Sequence, residues 1–226
     1  MKTFHNSALS GHQGEKRTFS QIRDSFFWPG MKKEILKWVK ACLACRRRKT
    51  PRPMRAGLTE AVLAKFPNET VQIDFLGPYP ITEGGYSWIL TMIDMFTRWP
   101  VAVPLKDRSS ASIAQAIYKY WICERGVPLI ICSDRAREFI SKGIKQLGSF
   151  LGIKLVTTAG YNPTGNSSVE RFHRYFNAAL SIVYDKIKAT WDQIIPSILF
   201  SYRASVNDTT GYSPFFSNTA EIPSSP

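Results

Sequence analysis

The sequence predicts an α/β protein in which a mixed sheet flanked by helices follows a small helical domain. From residue 69 onward, three strand-like runs come first and further strands then alternate with amphipathic helices, which is typical of a mixed sheet covered by helices. Before residue 50, apolar residues recur at intervals of three and four, so that segment is predicted to be helical. We therefore expect a helical domain at residues 1–49, a linker at 50–68 and a mixed-sheet domain at 69–226.

The helical domain is predicted to contain two short helices on either side of Trp28-Pro29-Gly30. Its apolar residues at helical spacing are Phe19, Ile22 and Phe26 on the first helix, and Ile35, Trp38, Val39 and Cys42 on the second. Two short helices bury little apolar surface, so this domain needs another source of stability. Residues 50–57 that follow are rich in proline and charge, which favours a linker.

The mixed-sheet domain is predicted to contain five strands and four helices. The strands are expected at residues 70–75, 87–95, 99–105, 129–133 and 153–157. The helices are expected at residues 109–125, 142–151, 168–188 and 190–205. In this layout the strand at 129–133 can lie beside the strand at 70–75.

The charge of the chain indicates a polyanionic partner. The formal net charge is +13, of which +11 lies in residues 1–58 and +2 in the remainder. This favours nucleic acid over a membrane, because no apolar run approaches the roughly 20 residues of a spanning helix and no signal peptide opens the chain. The candidate phosphate contacts are Arg46, Arg47, Arg48 and Lys49, with Lys32, Lys33, Lys37 and Lys40 on the preceding helix. A solvated basic surface is the alternative.

Two histidines and a cysteine pair in the helical domain have the composition of a zinc site. His5 and His12 are two of only three histidines, and Cys42 and Cys45 close the second helical run. One Zn²⁺ ion held by two imidazoles and two thiolates would stabilise this small domain, so we predict a structural site with no open position. Coincidence and a redox Cys-x-x-Cys motif are the alternatives.

The other two cysteines are predicted to be small core residues. Cys123 follows an amphipathic run, and Cys132 lies in the apolar run of the strand at 129–133. This cysteine usage fits a reducing intracellular compartment better than secretion.

Three acids lie where predicted strands end or a predicted helix begins. Asp74 ends the first strand, Asp134 follows the strand at 129–133, and Glu170 begins the helix at 168–188. Three nearby carboxylates repel one another, and hard divalent cations, Mg²⁺ or Mn²⁺, are the usual remedy. Asp74 is interpreted as the ligand shared by two ions, in a site suited to attack at a phosphodiester. On spacing alone, Asp94 and Glu138 are rival candidates.

Taken together, the motifs resemble those of gypsy-class retrotransposon integrases, within the retroviral-type integrases and DDE transposases. The segments that carry the resemblance are HNSALSGHQG at 5–14, FWPGMK at 27–32, CLACRRRK at 42–49, IDFLGP at 73–78, SDRAREF at 133–139 and YNPTGNSSVERF at 161–172. Thirty-five residues separate Asp134 from Glu170, as in the family, whereas Asp94 and Glu138 do not match its catalytic positions. The resemblance implies an RNase H-like core with Asp74, Asp134 and Glu170 as catalytic residues.

The resemblance also implies an activity and its partners. The expected reaction is a polynucleotidyl transfer in which 3′ ends of element DNA are trimmed and then joined to target DNA, with two metal ions and no covalent protein intermediate. By analogy, Tyr161, Asn166 and Arg174 are expected to contact the DNA end, although Arg174 also fits an ordinary exposed helix cation. A homo-multimer, association with other products of the same polyprotein, and location in the nucleus at chromatin or in a cytoplasmic nucleoprotein particle are further expectations. No membrane association is expected.

Some positions depart from the family pattern. Ala136 and Ser167 stand where glycine is common, and a left-handed backbone at Ala136 would cost about 1 kcal/mol. The sequence ends at Pro226, so the small β-barrel that follows the core in the family is expected to be absent. A domesticated DNA-binding protein that no longer cuts is therefore one alternative function. A ribonuclease on the same fold is another.

Overall fold

The computed structural model describes residues 1–7, 10–48, 64–134, 136–157, 167–187 and 190–219. The chain divides into two compact units: Leu58–His173 forms one, and Met1–Gly57 together with Arg174–Pro226 forms the other. Most of the predicted linker at 50–68 lies outside the described residues, so the domain boundaries near it stay a prediction.

The unit Leu58–His173 is built on a five-stranded mixed sheet, which confirms the predicted fold class. Its strands are β1 (Thr70–Leu76), β2 (Trp88–Asp94), β3 (Pro100–Leu105), β4 (Ile130–Ser133) and β5 (Lys154–Thr157). The strand order is β3-β2-β1-β4-β5, with β1, β2 and β3 antiparallel and β4 and β5 parallel to β1. The strand that carries Asp74 therefore lies directly beside the strand that leads to Asp134.

Helices cover this sheet. They are α4 (Ser110–Ile117), which continues through a π-helical turn (Tyr118–Ile122) into α5 (Cys123–Arg125), and α6 (Lys142–Leu151). Helix α4 begins after Ser109, whose side chain accepts a hydrogen bond from the Ser112 amide, an ordinary N-cap. The core between helices and sheet includes the fully buried Ile73, Leu90, Ile113 and Trp121.

The π-helical turn makes one sequence-based interpretation wrong. A regular helix would place Tyr120 and Cys123 on the apolar face of α4, but the wider π-helical turn shifts the phase of the side chains. Trp121 is consequently fully buried, whereas Tyr120 and Cys123 are exposed. Cys132 is half-buried, so neither cysteine is a fully enclosed core residue.

The other unit contains the N-terminal helices and the C-terminal helices of the chain. They are a π-helical turn (Lys2–Asn6), α1 (Glu15–Arg23), α2 (Met31–Ala41), α3 (Leu43–Arg48), α8 (Trp191–Arg203) and α9 (Pro214–Thr219). Helix α7 (Ser167–Ile187) begins in the sheet-containing unit and ends in this one. A small core of Ile22, Met31, Ile35 and Val39 joins α1 to α2. Phe26 follows the end of α1 and is exposed, contrary to the helical spacing.

A buried polar contact connects the N-terminal segment to α8. The Gln13 amide nitrogen donates to the Ser201 carbonyl oxygen and to Ser201 Oγ, both at 2.9 Å. The Arg17 guanidinium lies 5.7 Å from the ring centre of Tyr175 and 5.3 Å from that of Tyr202. The Gln13–Ser201 contact joins residues 188 positions apart. Among the described helices, none has the length and apolar character that a membrane span requires.

Candidate functional site

The first candidate site is a group of two histidines and two cysteines. His5 lies on the N-terminal π-helical turn, His12 precedes α1, Cys42 ends α2 and Cys45 lies on α3. One ligand atom from each residue lies within 4.8 Å of those of the other three. His5 and His12 are almost fully buried, and His12 has the left-handed backbone φ of 49° that turns the chain here. The structure therefore brings together all four residues that the spacing suggested.

The distances within this group fit a tetrahedral zinc ion. Cys42 Sγ lies 3.4 Å from His12 Nδ1, and Cys45 Sγ lies 3.5 Å from both His12 Nδ1 and His5 Nε2. With Zn–S bonds of about 2.3 Å and Zn–N bonds of about 2.05 Å, a tetrahedron places nitrogen and sulfur about 3.5 Å apart. Neither cysteine is in a disulfide, so both can act as thiolate ligands. Four protein ligands leave no position for substrate, which is typical of a structural site.

The second candidate site is the acid cluster, defined as Asp74, Asp134 and Glu170. Asp74 lies near the end of β1, Asp134 directly follows the neighbouring parallel strand β4, and Glu170 lies in the first turn of α7. The Phe75 amide donates to Asp74 Oδ1 at 2.8 Å, and the Ala136 amide donates to Asp134 Oδ1 at 2.9 Å. Backbone groups thus hold two of the three carboxylates in place.

The three carboxylates influence one another electrostatically. The pKa of Asp74 is raised to about 6 in total: burial is the largest cause, the Phe75 amide lowers the pKa, and the negative charges of Asp134 and Glu170 raise it. A half-buried carboxylate whose pKa is raised by two other acids is a group that a cation would stabilise. The oxygen-only donor set fits hard divalent ions such as Mg²⁺ or Mn²⁺.

Two residues beside Asp74 were missed by the sequence reasoning. Thr91, opposite Asp74 in the β1–β2 register, donates its hydroxyl hydrogen to the Asp74 carbonyl oxygen at 2.9 Å. His173 Nε2 lies 2.8 Å from Thr91 Oγ1, and His173 Nδ1 lies 3.8 Å from Asp74 Oδ2. The one available signal was that the third histidine follows Glu170 by three residues, which places both on neighbouring parts of a helix surface.

His173 is neutral near pH 7. Burial lowers the pKa of its imidazole to about 4, which disfavours the charged form. Its contact with Asp74 is therefore not an ion pair, although the distance alone would suggest one.

The rival acids have structural partners of their own. Asp94 is fully buried and accepts hydrogen bonds from the amides of Phe96 and Thr97 and from the Thr97 hydroxyl. Glu138 forms an ion pair with Arg108 at 2.9 Å. Asp94 therefore stabilises the β2–β3 turn, and Glu138 lies in a turn after β4.

The predicted DNA contacts are only partly described. Arg46, Arg47 and Arg174 are exposed on their helices, as are the four lysines of α2. Lys49, Tyr161 and Asn166 lie outside the described residues, and nothing is described of the Arg48 side chain. Their roles remain predictions.

The backbone at Ala136 is relaxed. Ala136 is not among the non-glycine residues with positive φ, which are His12, Asn68 and Arg98 in the described part of the chain. The cost expected for a Cβ at this position therefore does not arise, because the residue does not need the left-handed conformation that favours glycine.

Comparison with known proteins identifies both parts of the chain. The family model described as integrase zinc binding domain matches residues 1–51, and that described as integrase core domain matches residues 64–163. The first match contains the complete His/Cys group, and the second contains Asp74 and Asp134.

Relatives match over nearly the whole chain at modest identity. The retrovirus-related Pol polyprotein from transposon 412 of Drosophila melanogaster is 25% identical over 99% of this chain and 18% of its own length. The Gypsy retrotransposon integrase-like protein 1 of Rattus norvegicus is 26% identical over 96% of this chain and 41% of its own length. The chain thus spans less than half the length of these curated relatives.

Solved structures share the fold. The simian T-cell lymphotropic virus intasome in complex with a PP2A regulatory subunit contains a chain with a TM-score of 0.64 and 18% identity, covering 97% of this chain and 77% of that one. The HTLV-2 integrase catalytic core domain in complex with magnesium gives a TM-score of 0.55 and 19% identity, covering 69% of this chain and 97% of that one. The chain thus contains an integrase zinc binding domain and an integrase core domain, shares its fold with retroviral integrase structures, and is similar in sequence to gypsy retrotransposon integrase-like and retrovirus-related Pol proteins.

Proposed function

We propose that the chain is the zinc-binding and catalytic part of an integrase that trims the 3′ ends of element DNA and joins them to target DNA. The observation that carries the proposal is the meeting of Asp74, Asp134 and Glu170 at the edge shared by β1 and β4, in a chain that matches the integrase core domain. Metal-assisted attack on a phosphodiester needs carboxylates positioned to hold the metal ions, and it does not need a nucleophilic side chain.

The three acids would hold two Mg²⁺ or Mn²⁺ ions. When bound, such ions lower the pKa of an attacking water or 3′-hydroxyl and neutralise charge that develops at the phosphate. The negative charges of Asp134 and Glu170 both act on the pKa of Asp74, which supports Asp74 as the ligand shared by the two ions. The Phe75 and Ala136 amides orient the carboxylates of Asp74 and Asp134, and Glu170 is exposed at the start of α7, where substrate can reach it. The magnesium complex of the HTLV-2 core domain supports the choice of ion.

The His/Cys group would hold one Zn²⁺ ion that stabilises the N-terminal helices. Its four buried donors, at distances suited to a tetrahedron, support a structural role and leave the chemistry to the acid cluster.

DNA and further copies of the chain are the proposed partners. The exposed lysines of α2, with Arg46 and Arg47, would contact phosphates, so DNA affinity should fall steeply as salt rises. The relatives include an intasome and dimeric and trimeric core-domain forms, which supports a multimer here. Such a substrate would place the protein at chromatin or in a cytoplasmic nucleoprotein particle.

A strand-transfer reversal assay on a branched oligonucleotide tests the function. We expect product that depends on Mn²⁺, and a loss of about 100-fold in the Asp134→Asn variant, because one ligand of the acid cluster is weakened. Asp24→Asn is the matched control. It makes the same substitution at an exposed aspartate outside the acid cluster, so this variant should retain full activity. Equal product from the wild type and Asp134→Asn would exclude the proposed enzyme.

The same oligonucleotides separate the two other functions. Tight DNA binding with no Mn²⁺-dependent product would indicate a domesticated DNA-binding protein. Preferential cleavage of an RNA·DNA hybrid over DNA ends would indicate a ribonuclease on the same fold.

A further inference from the structure

We propose that His173 is a fourth member of the metal site, and that its Nδ1 atom is a nitrogen donor which makes the site prefer Mn²⁺ to Mg²⁺. The inference rests on the proposed function only in taking Asp74 as a metal ligand. It concerns a side chain that faces Asp74 Oδ2, whereas the Phe75 amide donates to Asp74 Oδ1.

The first step is the assignment of the imidazole tautomer. The Thr91 hydroxyl has a single hydrogen, and it donates that hydrogen to the Asp74 carbonyl oxygen at 2.9 Å. Thr91 Oγ1 can therefore only accept from His173 Nε2, which lies 2.8 Å away. In the neutral ring, a hydrogen on Nε2 leaves Nδ1 with a lone pair. The short contact to Thr91 thus fixes which nitrogen of His173 is the acceptor.

The second step concerns what that lone pair faces. Nδ1 lies 3.8 Å from Asp74 Oδ2, and the two side chains are only 14% and 22% exposed. An imidazole lone pair and a carboxylate oxygen are both acceptors, so they repel when nothing lies between them. A cation placed between them would bind both. Metal bonds of about 2.1 Å to nitrogen and to oxygen can span this separation.

The third step is the chemical preference of the donor. Carboxylate oxygens serve Mg²⁺ and Mn²⁺ alike, whereas imidazole suits transition metals and adds little for Mg²⁺. A site of three carboxylates and one imidazole should therefore bind Mn²⁺ more tightly relative to Mg²⁺ than a site of three carboxylates alone.

Two substitutions at this position distinguish the two nitrogens. In His173→Gln, the amide nitrogen can reach the place of Nε2 and keep the hydrogen bond to Thr91, while nothing remains in the place of Nδ1. In His173→Asn, the amide oxygen can take the place of Nδ1, so the donor becomes an oxygen. Both variants use the full chain with zinc bound, and the probes are Mn²⁺ and Mg²⁺ alone.

The measurement is the affinity for each ion, with free Mn²⁺ followed by electron paramagnetic resonance and Mg²⁺ by competition. We expect His173→Gln to lower the Mn²⁺ affinity about 10-fold and the Mg²⁺ affinity much less. We expect His173→Asn to lower the ratio of Mn²⁺ to Mg²⁺ affinity as well, with the Mg²⁺ affinity retained. An unchanged ratio in both variants would overturn the proposal.

The tautomer can be tested without any metal at the acid cluster. The chain has three histidines, and two of them lie in the zinc group, so the imidazole nitrogens of His173 can be assigned by ¹⁵N NMR of the zinc-bound protein. We expect hydrogen on Nε2 and a bare Nδ1, and hydrogen on Nδ1 would overturn the assignment. Mn²⁺ binding that Asp134→Asn weakens but the His173 variants do not would reject this inference and leave the proposed function standing. Mn²⁺ binding insensitive to Asp134→Asn would reject both.

Discussion

The two candidate metal sites of this chain differ in whether their ligands repel one another when no metal ion is bound. The His/Cys group brings four donors, almost all buried, to within 4.8 Å of one another, and no two of them need carry like charge in the absence of metal. The acid cluster gathers three carboxylates, and burial, with a smaller contribution from the charges of Asp134 and Glu170, raises the pKa of Asp74 to about 6. The difference teaches that a zinc ion in the His/Cys group would be part of the fold, whereas the proposed hard cations would relieve a repulsion that the fold already tolerates.

Removing zinc is expected to have the largest effect. The N-terminal helices bury only a small core, so loss of zinc should unfold α1, α2 and α3, since zinc binding to such modules is worth about 10 kcal/mol. The sheet β1–β5 should keep its structure. Circular dichroism and hydrogen exchange after verified zinc removal measure both effects.

Cys45→Ser should reproduce the loss, and Cys123→Ser, at an exposed cysteine outside the group, should not. Unchanged helicity and exchange in the zinc-free protein would show that the comparison is wrong.

At the acid cluster, removing a charge is expected to stabilise the protein. In buffer without Mg²⁺ or Mn²⁺, Asp74→Asn should raise the free energy of unfolding at pH 7.5 by up to about 3 kcal/mol, because the carboxylate has a pKa of about 6 when folded and 3.8 as a model group. The folded state binds the proton more tightly, so the wild type loses stability as the pH rises from 3.8 to 6. The advantage of the variant should therefore shrink as the pH falls through that range.

Urea unfolding at several pH values, with zinc retained, measures this effect. Addition of Mg²⁺ should reduce the difference between the wild type and Asp74→Asn. A variant less stable than the wild type at every pH would contradict the view that the metal-free cluster is strained.

The rigidity of the zinc-binding unit can be tested at a glycine. Gly11 has a φ of 57°, and a Cβ on it would lie 2.7 Å from Tyr175 Oη and 2.8 Å from Ser201 Oγ. Gly11→Ala should therefore lower stability by about 1–3 kcal/mol through strain and overpacking. Gly14→Ala is the matched control, because Gly14 has a φ of −72° and open space around its Cα. Equal thermal denaturation of the two variants would reject the contact with α7 and α8.

The smallest effect is expected at the ion pair between Arg108 and Glu138. The Arg108 guanidinium contacts Glu138 at 2.9 Å and lies 4.3 Å from the ring centre of Trp88. Arg108→Ala should cost about 1 kcal/mol in urea unfolding, from the ion pair and the stacking together. Arg23→Ala breaks the exposed pair with Asp24 at 3.7 Å and should cost nothing measurable. A double-mutant cycle of Arg108 with Glu138 that shows no coupling would contradict the assignment.

The strands and helices were largely predictable because their signals are local. All five strands and the main helices lie within a few residues of their expected positions, since alternation and helical spacing are read along the chain. The meeting of the four residues of the His/Cys group was predictable for a chemical reason, because few functions other than zinc binding combine those residue types in so small a domain. Asp74, Asp134 and Glu170 needed the family resemblance to be separated from Asp94 and Glu138.

Other features depend on contacts that no local pattern encodes. The Thr91 hydroxyl reaches the Asp74 carbonyl through the β1–β2 register, and His173 joins them only because α7 lies against β2 at that point. The exposed Cys123 results from a change of helical phase that the apolar spacing could not reveal. Neither the hydrogen bond of Gln13 to Ser201 nor the close approach at Gly11 has a signal in sequence spacing.

The most direct test of the contrast is anomalous scattering from one crystal soaked in Mn²⁺ with zinc retained, recorded at the zinc and manganese edges. We predict a zinc peak among His5, His12, Cys42 and Cys45, and manganese peaks only at the acid cluster of Asp74, Asp134 and Glu170, within reach of His173 Nδ1. Manganese in the His/Cys group, or no manganese bound to the three acids, would contradict the account.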